Sequence, residues 1–129
     1  VAGQMVKAML KRRIQVDGAR VLVLGLTFKE NCPDLRNTRV VDVVNELREF
    51  GVAVDVHDPW VDAAEAKAEY GLDLIQTPEA GVYDGVILAV PHEAYRAAGA
   101  EALRAHGRET HVSFDLKSVF ERGHSDLRL

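Results

Sequence analysis

Arg20-Val21-Leu22-Val23-Leu24-Gly25-Leu26-Thr27-Phe28-Lys29 decides the fold. Its aliphatic core runs without a polar break and is closed by a glycine. The run is too short for a helix, and its lack of alternation reads as a strand buried on both faces. Such a strand needs a layer of helices on each side. A polar loop follows over residues 27–39, with Pro33, Asp34 and Asn37. Thr38 then offers a cap for a helix over residues 39–50. Val40, Val43, Val44, Leu47 and Phe50 form its apolar face, and Gly51 its stop.

The same alternation continues downstream. Residues 52–57 read as a second strand, turned by Asp58-Pro59 because proline restricts the residue before it. Asp62 caps a helix to Tyr70, stopped by Gly71. Residues 72–75 are a short strand candidate, and Thr77-Pro78-Glu79 resembles the cap and first turn of a short helix. Residues 85–90 form a third strong strand, ended by Pro91. A helix over residues 93–104 carries a possible break at Gly99. A last strand covers residues 111–115, and the polar tail from Glu121 reads as loop.

Strands alternating with helices of this length predict an α/β fold: a Rossmann-like three-layer sandwich with a mostly parallel sheet. A flavodoxin-like arrangement of the same elements differs mainly in strand order. Upstream, residues 1–14 show helical spacing through Met5, Val6, Met9 and Leu10, with late cations favouring the helix dipole. No capping residue precedes them and the chain begins with Val1. The expectation is the end of a longer helix.

At 129 residues the chain suits one domain with a single core. Aromatics are only 6%, so that core must rely on Val, Leu, Ile and Ala. The formal net charge of -4 gives no support for nucleic-acid binding, yet allows a few cations around a phosphate. Cys32 is the sole cysteine, which excludes an internal disulfide and fits a reducing, cytoplasmic compartment. No apolar run reaches membrane-span length and no signal peptide is visible, so no membrane partner is expected. The histidines show no metal-ligand spacing, and no metal site is assigned.

In open parallel sheets, ligands bind beyond the carboxyl ends of the strands. Attention therefore falls on the loops after Leu24, His57, Val90 and Asp115. Lys29 and Arg36 lie in the first and Lys117 in the last. The first loop lacks the G-x-G-x-x-G of a dinucleotide site. One glycine is followed by bulk, so backbone alone cannot cradle a pyrophosphate, and a lysine would have to supply that charge. Phe28 beside Lys29 suits a sugar or nucleotide phosphate; the alternative is a buried Phe and a solvated Lys. Asp34 and Arg36 read either as an arginine oriented toward a phosphate or as a loop ion pair. Asp58 stands where dinucleotide folds place a ribose-binding acid, but Pro59-Trp60 favours a structural turn. His92 follows the third strand, where it could line a cleft, but it reads rather as a capping or surface residue. Cys32 has no histidine within its loop and is not assigned as a nucleophile.

The segment Gly25-Leu26-Thr27-Phe28-Lys29-Glu30-Asn31-Cys32-Pro33-Asp34-Leu35-Arg36-Asn37-Thr38 closely resembles a signature of the UDP-glucose/GDP-mannose dehydrogenase family. Val54-Asp55-Val56-His57-Asp58-Pro59-Trp60-Val61-Asp62, Tyr83-Asp84-Gly85-Val86-Ile87-Leu88-Ala89-Val90 and Phe114-Asp115-Leu116-Lys117 continue the likeness across nearly the whole chain. The Glu-Asn-Cys-Pro-Asp-Leu-Arg-Asn-Thr form resembles the branch acting on UDP-N-acetylhexosamines for bacterial capsule, Vi-type or O-antigen polysaccharide.

The resemblance implies a specific set of expectations. Residues 19–129 would be a C-terminal UDP-sugar-binding domain, and residues 1–18 the end of a central helix through which family members form homodimers. Phe28 and Lys29 match a pair that contacts the UDP-sugar. Lys117 falls near a family arginine on the same ligand, with Ser118 as the neighbouring register. Arg36 matches an arginine that reaches NAD, a cofactor held mainly by a separate N-terminal domain. The catalytic cysteine of the family lies outside this stretch, so the 129 residues alone would bind without oxidising. The rival expectation is a stand-alone Rossmann-like binding or regulatory module.

Overall fold

Val21 and Val23 face one side of the central strand, and Leu22 and Leu24 face the other. This division organises the computed structural model, which describes residues 1–129. In chain order the elements are α1 (Ala2–Lys11), β1 (Arg20–Leu24), α2 (Val40–Glu49), β2 (Ala53–His57) and α3 (Ala63–Tyr70). There follow β3 (Tyr83–Leu88), α4 (Glu93–Ala98), α5 (Ala100–Arg104), β4 (Gly107–Asp115) and β5 (Leu127–Arg128).

All neighbouring strands pair in parallel, in the order β2-β1-β3-β4-β5. Those ladders alone give the flavodoxin-like order. The short candidate at residues 72–75 changes the reading. It is reduced to a single parallel bridge from Leu74 to Val56, which places it outside β2. Counted in chain order, this stub completes the Rossmann order 3-2-1-4-5-6. The sheet is thus Rossmann-like with its third strand nearly erased.

The larger core lies under α1 and α2. There Met5, Met9, Val44 and Leu47 meet Val21, Val23, Ile87 and Phe114. The smaller core lies under α4 and α5, where Tyr95 and Leu103 meet Leu22, Leu24, Val86 and Leu88. Burying each such aliphatic side chain stabilises the fold by about 1.5–3 kcal/mol. Gly85 leaves the room that α1 needs against the sheet, since a Cβ there would run into Met5 Cε. Leu10, on the outer side of α1, stays exposed. No helix is long and apolar enough to cross a membrane.

Most local signals act as expected. The Asp62 side chain accepts the Ala64 N–H, and Gly71 closes α3 in the left-handed conformation at φ 67°. Gly99 splits the predicted long helix into α4 and α5, because its backbone at φ 87°, ψ 159° is not helical.

Three expectations are corrected. Residues 77–79 form no helix, despite the Thr-Pro start, and lie in irregular backbone. The last long strand begins at Gly107 rather than at residue 111. The tail is not all loop. β5 adds a parallel edge strand, with Phe114 opposite Leu127 and Asp115 opposite Arg128. Asp126 holds it there: its carboxylate accepts the Ser113 N–H at 2.8 Å and pairs with Arg12 and Arg104.

Candidate functional site: a cationic cleft at the strand ends

Strand order reverses between β1 and β3, so the crevice at their carboxyl ends is where a ligand should sit. Gly25 closes that end of β1. Its φ is +97°, and an added Cβ would lie 2.6–2.7 Å from Val90 atoms, including the backbone N and O. Only glycine fits this approach. Its N–H donates to the His57 carbonyl at 2.8 Å, binding the end of β1 to the end of β2.

The loop that follows is fastened from beneath by a buried carboxylate. Asp58 Oδ2 accepts the N–H of Leu26 at 2.7 Å and that of Thr27 at 3.1 Å. It also accepts from His92 Nε2 at 2.9 Å, with both side chains fully buried. Asp58 Oδ1 accepts the Trp60 N–H at 2.8 Å. The turn reading of Asp58 is therefore right as far as it goes. The ribose-binding alternative is closed, because both oxygens are spent on protein donors inside the fold. Burial alone pushes the Asp58 pKa up. The hydrogen bonds from His92, Leu26 and Trp60 outweigh it and hold the carboxyl below its ordinary range.

His92 stands at the N-cap position of α4, but its side chain caps nothing there, and it is not a surface residue. Its side chain is fully buried, and its Nδ1 accepts the Asn31 N–H at 2.8 Å. The capping falls to Asn31 instead, whose Oδ1 accepts the Glu93 N–H at the start of α4. Thr27 Oγ1 donates to the Lys29 carbonyl at 2.9 Å. Thr38 Oγ1 donates to the Leu26 carbonyl at 2.6 Å and accepts the Val40 N–H, so it joins the two ends of the loop just before α2. Nearby, Tyr95 Oη donates to the His57 carbonyl and receives the His57 Nδ1–H. Burial lowers the His57 pKa, the Asp58 charge opposing it, and burial raises that of Tyr95.

Held in this way, the loop presents Phe28 and Lys29 to solvent. Phe28 is 56% exposed, which rules out the reading of it as a buried plug. Phe28, Lys29 and Lys117 line one open cleft of about 410 Å³, with Ala89 and Val90 from the β3 end between them. The same cleft takes in Thr38 and Arg39 at the start of α2. Neither Lys29, Arg39 nor Lys117 is engaged in an ion pair. On a chain of net charge -4, three unpaired cations against one acidic side chain, Glu30, around a cleft of this size suit a phosphorylated ligand.

Arg36 does not join them. It is exposed and folded back on Asp34, with Nε to Oδ1 at 3.1 Å and a second contact to Oδ2 at 3.3 Å. That pair lowers the Asp34 pKa and raises that of Arg36. Cys32 is half-buried beside this loop and unbonded.

Reading the sequence missed Arg39 and the whole Asp58–His92–Asn31 clamp. Arg39 carried a weak signal, as a cation directly before a helix at a strand-end loop. The clamp joins residues 34 and 61 positions apart, and no local pattern announces it.

Sheet order and cleft together define a Rossmann-like domain with a cationic cleft at its switch point, without the glycine loop that grips a dinucleotide. Residues 22–122 match the UDP binding domain of the UDP-glucose/GDP-mannose dehydrogenase family, and the chain belongs to that family. Among curated relatives, it is 60% identical over its whole length to a UDP-N-acetyl-D-glucosamine 6-dehydrogenase of Pseudomonas aeruginosa, covering 31% of that protein. It is 48% identical over its whole length to the enzyme of the same name from Salmonella typhi, covering 30% of it. The chain thus spans under a third of the relatives it matches. Among solved structures, an NDP-N-acetyl-D-galactosaminuronic acid dehydrogenase from Methanosarcina mazei Go1 superposes with a TM-score of 0.76 at 25% identity. That match covers 93% of this chain and 25% of the other.

Proposed function

We propose that this chain supplies the UDP-holding wall of the substrate cleft in a UDP-N-acetylhexosamine 6-dehydrogenase of polysaccharide biosynthesis. The observation that carries the reading is a convergence. Phe28 and Lys29 follow β1 and Lys117 follows β4, far apart in sequence, and all line one cleft at the topological switch point. Phe28 offers an apolar face, and Lys29 and Lys117 offer charge for the diphosphate. Family membership and the two 6-dehydrogenase relatives supply the substrate class.

NAD would be the oxidant of such an enzyme, but the residues here do not form its site. The single glycine of the first loop is packed against Val90, leaving no backbone cradle for a dinucleotide pyrophosphate. Arg36, exposed on its loop, is the one group assigned toward NAD, reaching a cofactor carried by another part of the enzyme. The same reading makes residues 1–18 the end of a dimer-forming helix in a cytoplasmic enzyme, and leaves the isolated 129 residues binding without oxidising.

Calorimetric titration with UDP, and in parallel with NAD, tests the assignment. UDP should bind, NAD should not, and Lys29→Ala should weaken UDP by about tenfold, the loss expected for one charge-assisted contact. Binding of NAD without UDP would overturn the reading.

A further inference from the structure

One imidazole lies beneath the Phe28–Lys29 segment and contacts the residues on either side of it. His92 sits fully buried beneath it, between Asp58 on the β2 side and Asn31 within the loop. Its hydrogen bonds fix its chemical state. The Asn31 N–H points at Nδ1, so that nitrogen must carry a lone pair. The ring proton is therefore on Nε2, where it meets Asp58 Oδ2 at 2.9 Å. The same Asp58 oxygen accepts the Leu26 and Thr27 N–H groups. Leu26 and Thr27 precede Phe28–Lys29, and Asn31 follows two residues after it. The ring thus grips the segment on both sides: before it through Asp58 and by a direct contact of Nε2 with Thr27 Oγ1 at 3.2 Å, and after it directly at Asn31.

We propose that His92, as the neutral Nε2–H tautomer, is a positioning residue that sets where Lys29 meets the phosphate of the bound nucleotide. This rests on the UDP-binding reading above. His92 touches no ligand itself, since its side chain is wholly buried. It acts through the anchors that bracket the lysine, at Thr27 and Asn31. A lysine on an unanchored loop would have to be ordered on binding, and that ordering lowers affinity. Asn31 couples the grip further: its N–H goes to His92 while its Oδ1 receives the Glu93 N–H of α4.

The two arms of the ring can be separated by substitution. Asparagine places a carbonyl oxygen near the Nδ1 position and so keeps the acceptor for Asn31. Glutamine reaches the Nε2 position and keeps a donor for Asp58. A leucine keeps neither. UDP should bind about tenfold more weakly to His92→Leu. His92→Asn and His92→Gln should each recover part of that loss. The decisive readout is coupling. In His92→Leu, the further change Lys29→Ala should cost clearly less than it does in the unsubstituted chain. A purely structural histidine would leave the Lys29→Ala effect unchanged, and additive losses would overturn the proposal.

Two measurements remain valid if the leucine variant folds poorly or if UDP does not bind. Nitrogen NMR of the unsubstituted chain at neutral pH should show a bare Nδ1 and a protonated Nε2; the opposite tautomer overturns the proposal. Amide exchange at Asn31 should accelerate in His92→Gln and stay slow in His92→Asn. Equal protection in both would also overturn it. Failure of the unsubstituted chain to bind UDP would instead remove the functional reading, and with it the role of this clamp in affinity. The clamp geometry would still be decided by the NMR and exchange results. Trp60, the only tryptophan, lies with its ring 6.2 Å from the His92 ring and gives a fluorescence check that each variant keeps the local fold.

Discussion

The two walls of the cleft carry the same kind of charge but are held by different means. The Lys29 wall hangs on Asp58 and His92, whose side chains are fully buried and whose polar atoms are all paired. The Lys117 wall hangs on the sheet edge. Ser118 there adopts φ 53°, and its hydroxyl donates to the Leu129 carbonyl. Asp115 Oδ2 accepts the Phe120 N–H, while Asp115 Oδ1 and Ser125 Oγ are buried without a protein partner. Asp126 ties this edge to α1 and α5 through arginines that are roughly one-third exposed. A buried, saturated network is rigid and costly to break. A partly exposed one is adaptable and worth less. One wall therefore presents a lysine on an anchored backbone, and the other a lysine on a more adaptable one.

The sharpest way to break this contrast is Asp58→Ala. It would strand the donors of Leu26, Thr27, Trp60 and His92 inside the fold. We expect a loss of about 3–5 kcal/mol, read from urea unfolding. The pH dependence carries a sign. The folded-state pKa of Asp58 is depressed, so its stabilisation is complete above the unfolded value near pH ~4. It is lost as pH falls through the lower folded value. The variant should therefore show a shallower acid limb in its stability profile. An unaltered acid limb would mean that other carboxylates control acid unfolding.

Gly25→Ala strikes the same wall by sterics. It combines a positive φ with overlap against Val90 backbone, and should cost about 2–4 kcal/mol. Thermal melts of the two variants would show whether the wall depends more on its polar anchor or on close backbone approach.

At the other wall, Asp126→Ala removes the Ser113 N–H acceptor and two part-exposed ion pairs. About 1–2 kcal/mol should be lost, after allowing for solvent screening of the arginines. A loss as large as that of Asp58→Ala would erase the distinction between buried and edge support.

The same distinction explains what could be read from sequence. The strands β1 and β3 announce themselves because burial on both faces demands unbroken aliphatic runs. Gly71 and Gly99 announce their breaks because the backbone conformations they adopt are ones other residues avoid. These are local requirements, written locally. β5 escapes notice because Leu127 and Arg128 have no strand pattern of their own; the pairing is created by Asp126 finding Ser113. The Thr77-Pro78 start led nowhere because no apolar face follows to be buried. That Phe28, Lys29 and Lys117 line the cleft was legible from strand-end position, and the family signature points to the same residues. His92 was not legible, because its partners come from β2 and the β1 loop, and its meaning exists only once the sheet has brought them together.

The smallest expected effects separate the two lysines themselves. Neither is in an ion pair, so neither Lys29→Ala nor Lys117→Ala should measurably change the unfolding midpoint. Both should weaken UDP binding, and both losses should shrink as salt is raised, because the charges are exposed and screened. Lys29 should matter more. Its own carbonyl is held by Thr27 Oγ1, and the backbone on each side is pinned from below, so little freedom is lost when phosphate arrives. Lys117 starts from the more adaptable edge and must give up more freedom for the same contact. Titrations of both variants at two salt concentrations would test this ordering. If Lys117→Ala costs as much as Lys29→Ala, the rigidity of the buried wall confers no advantage in binding. The difference between the walls would then concern stability alone.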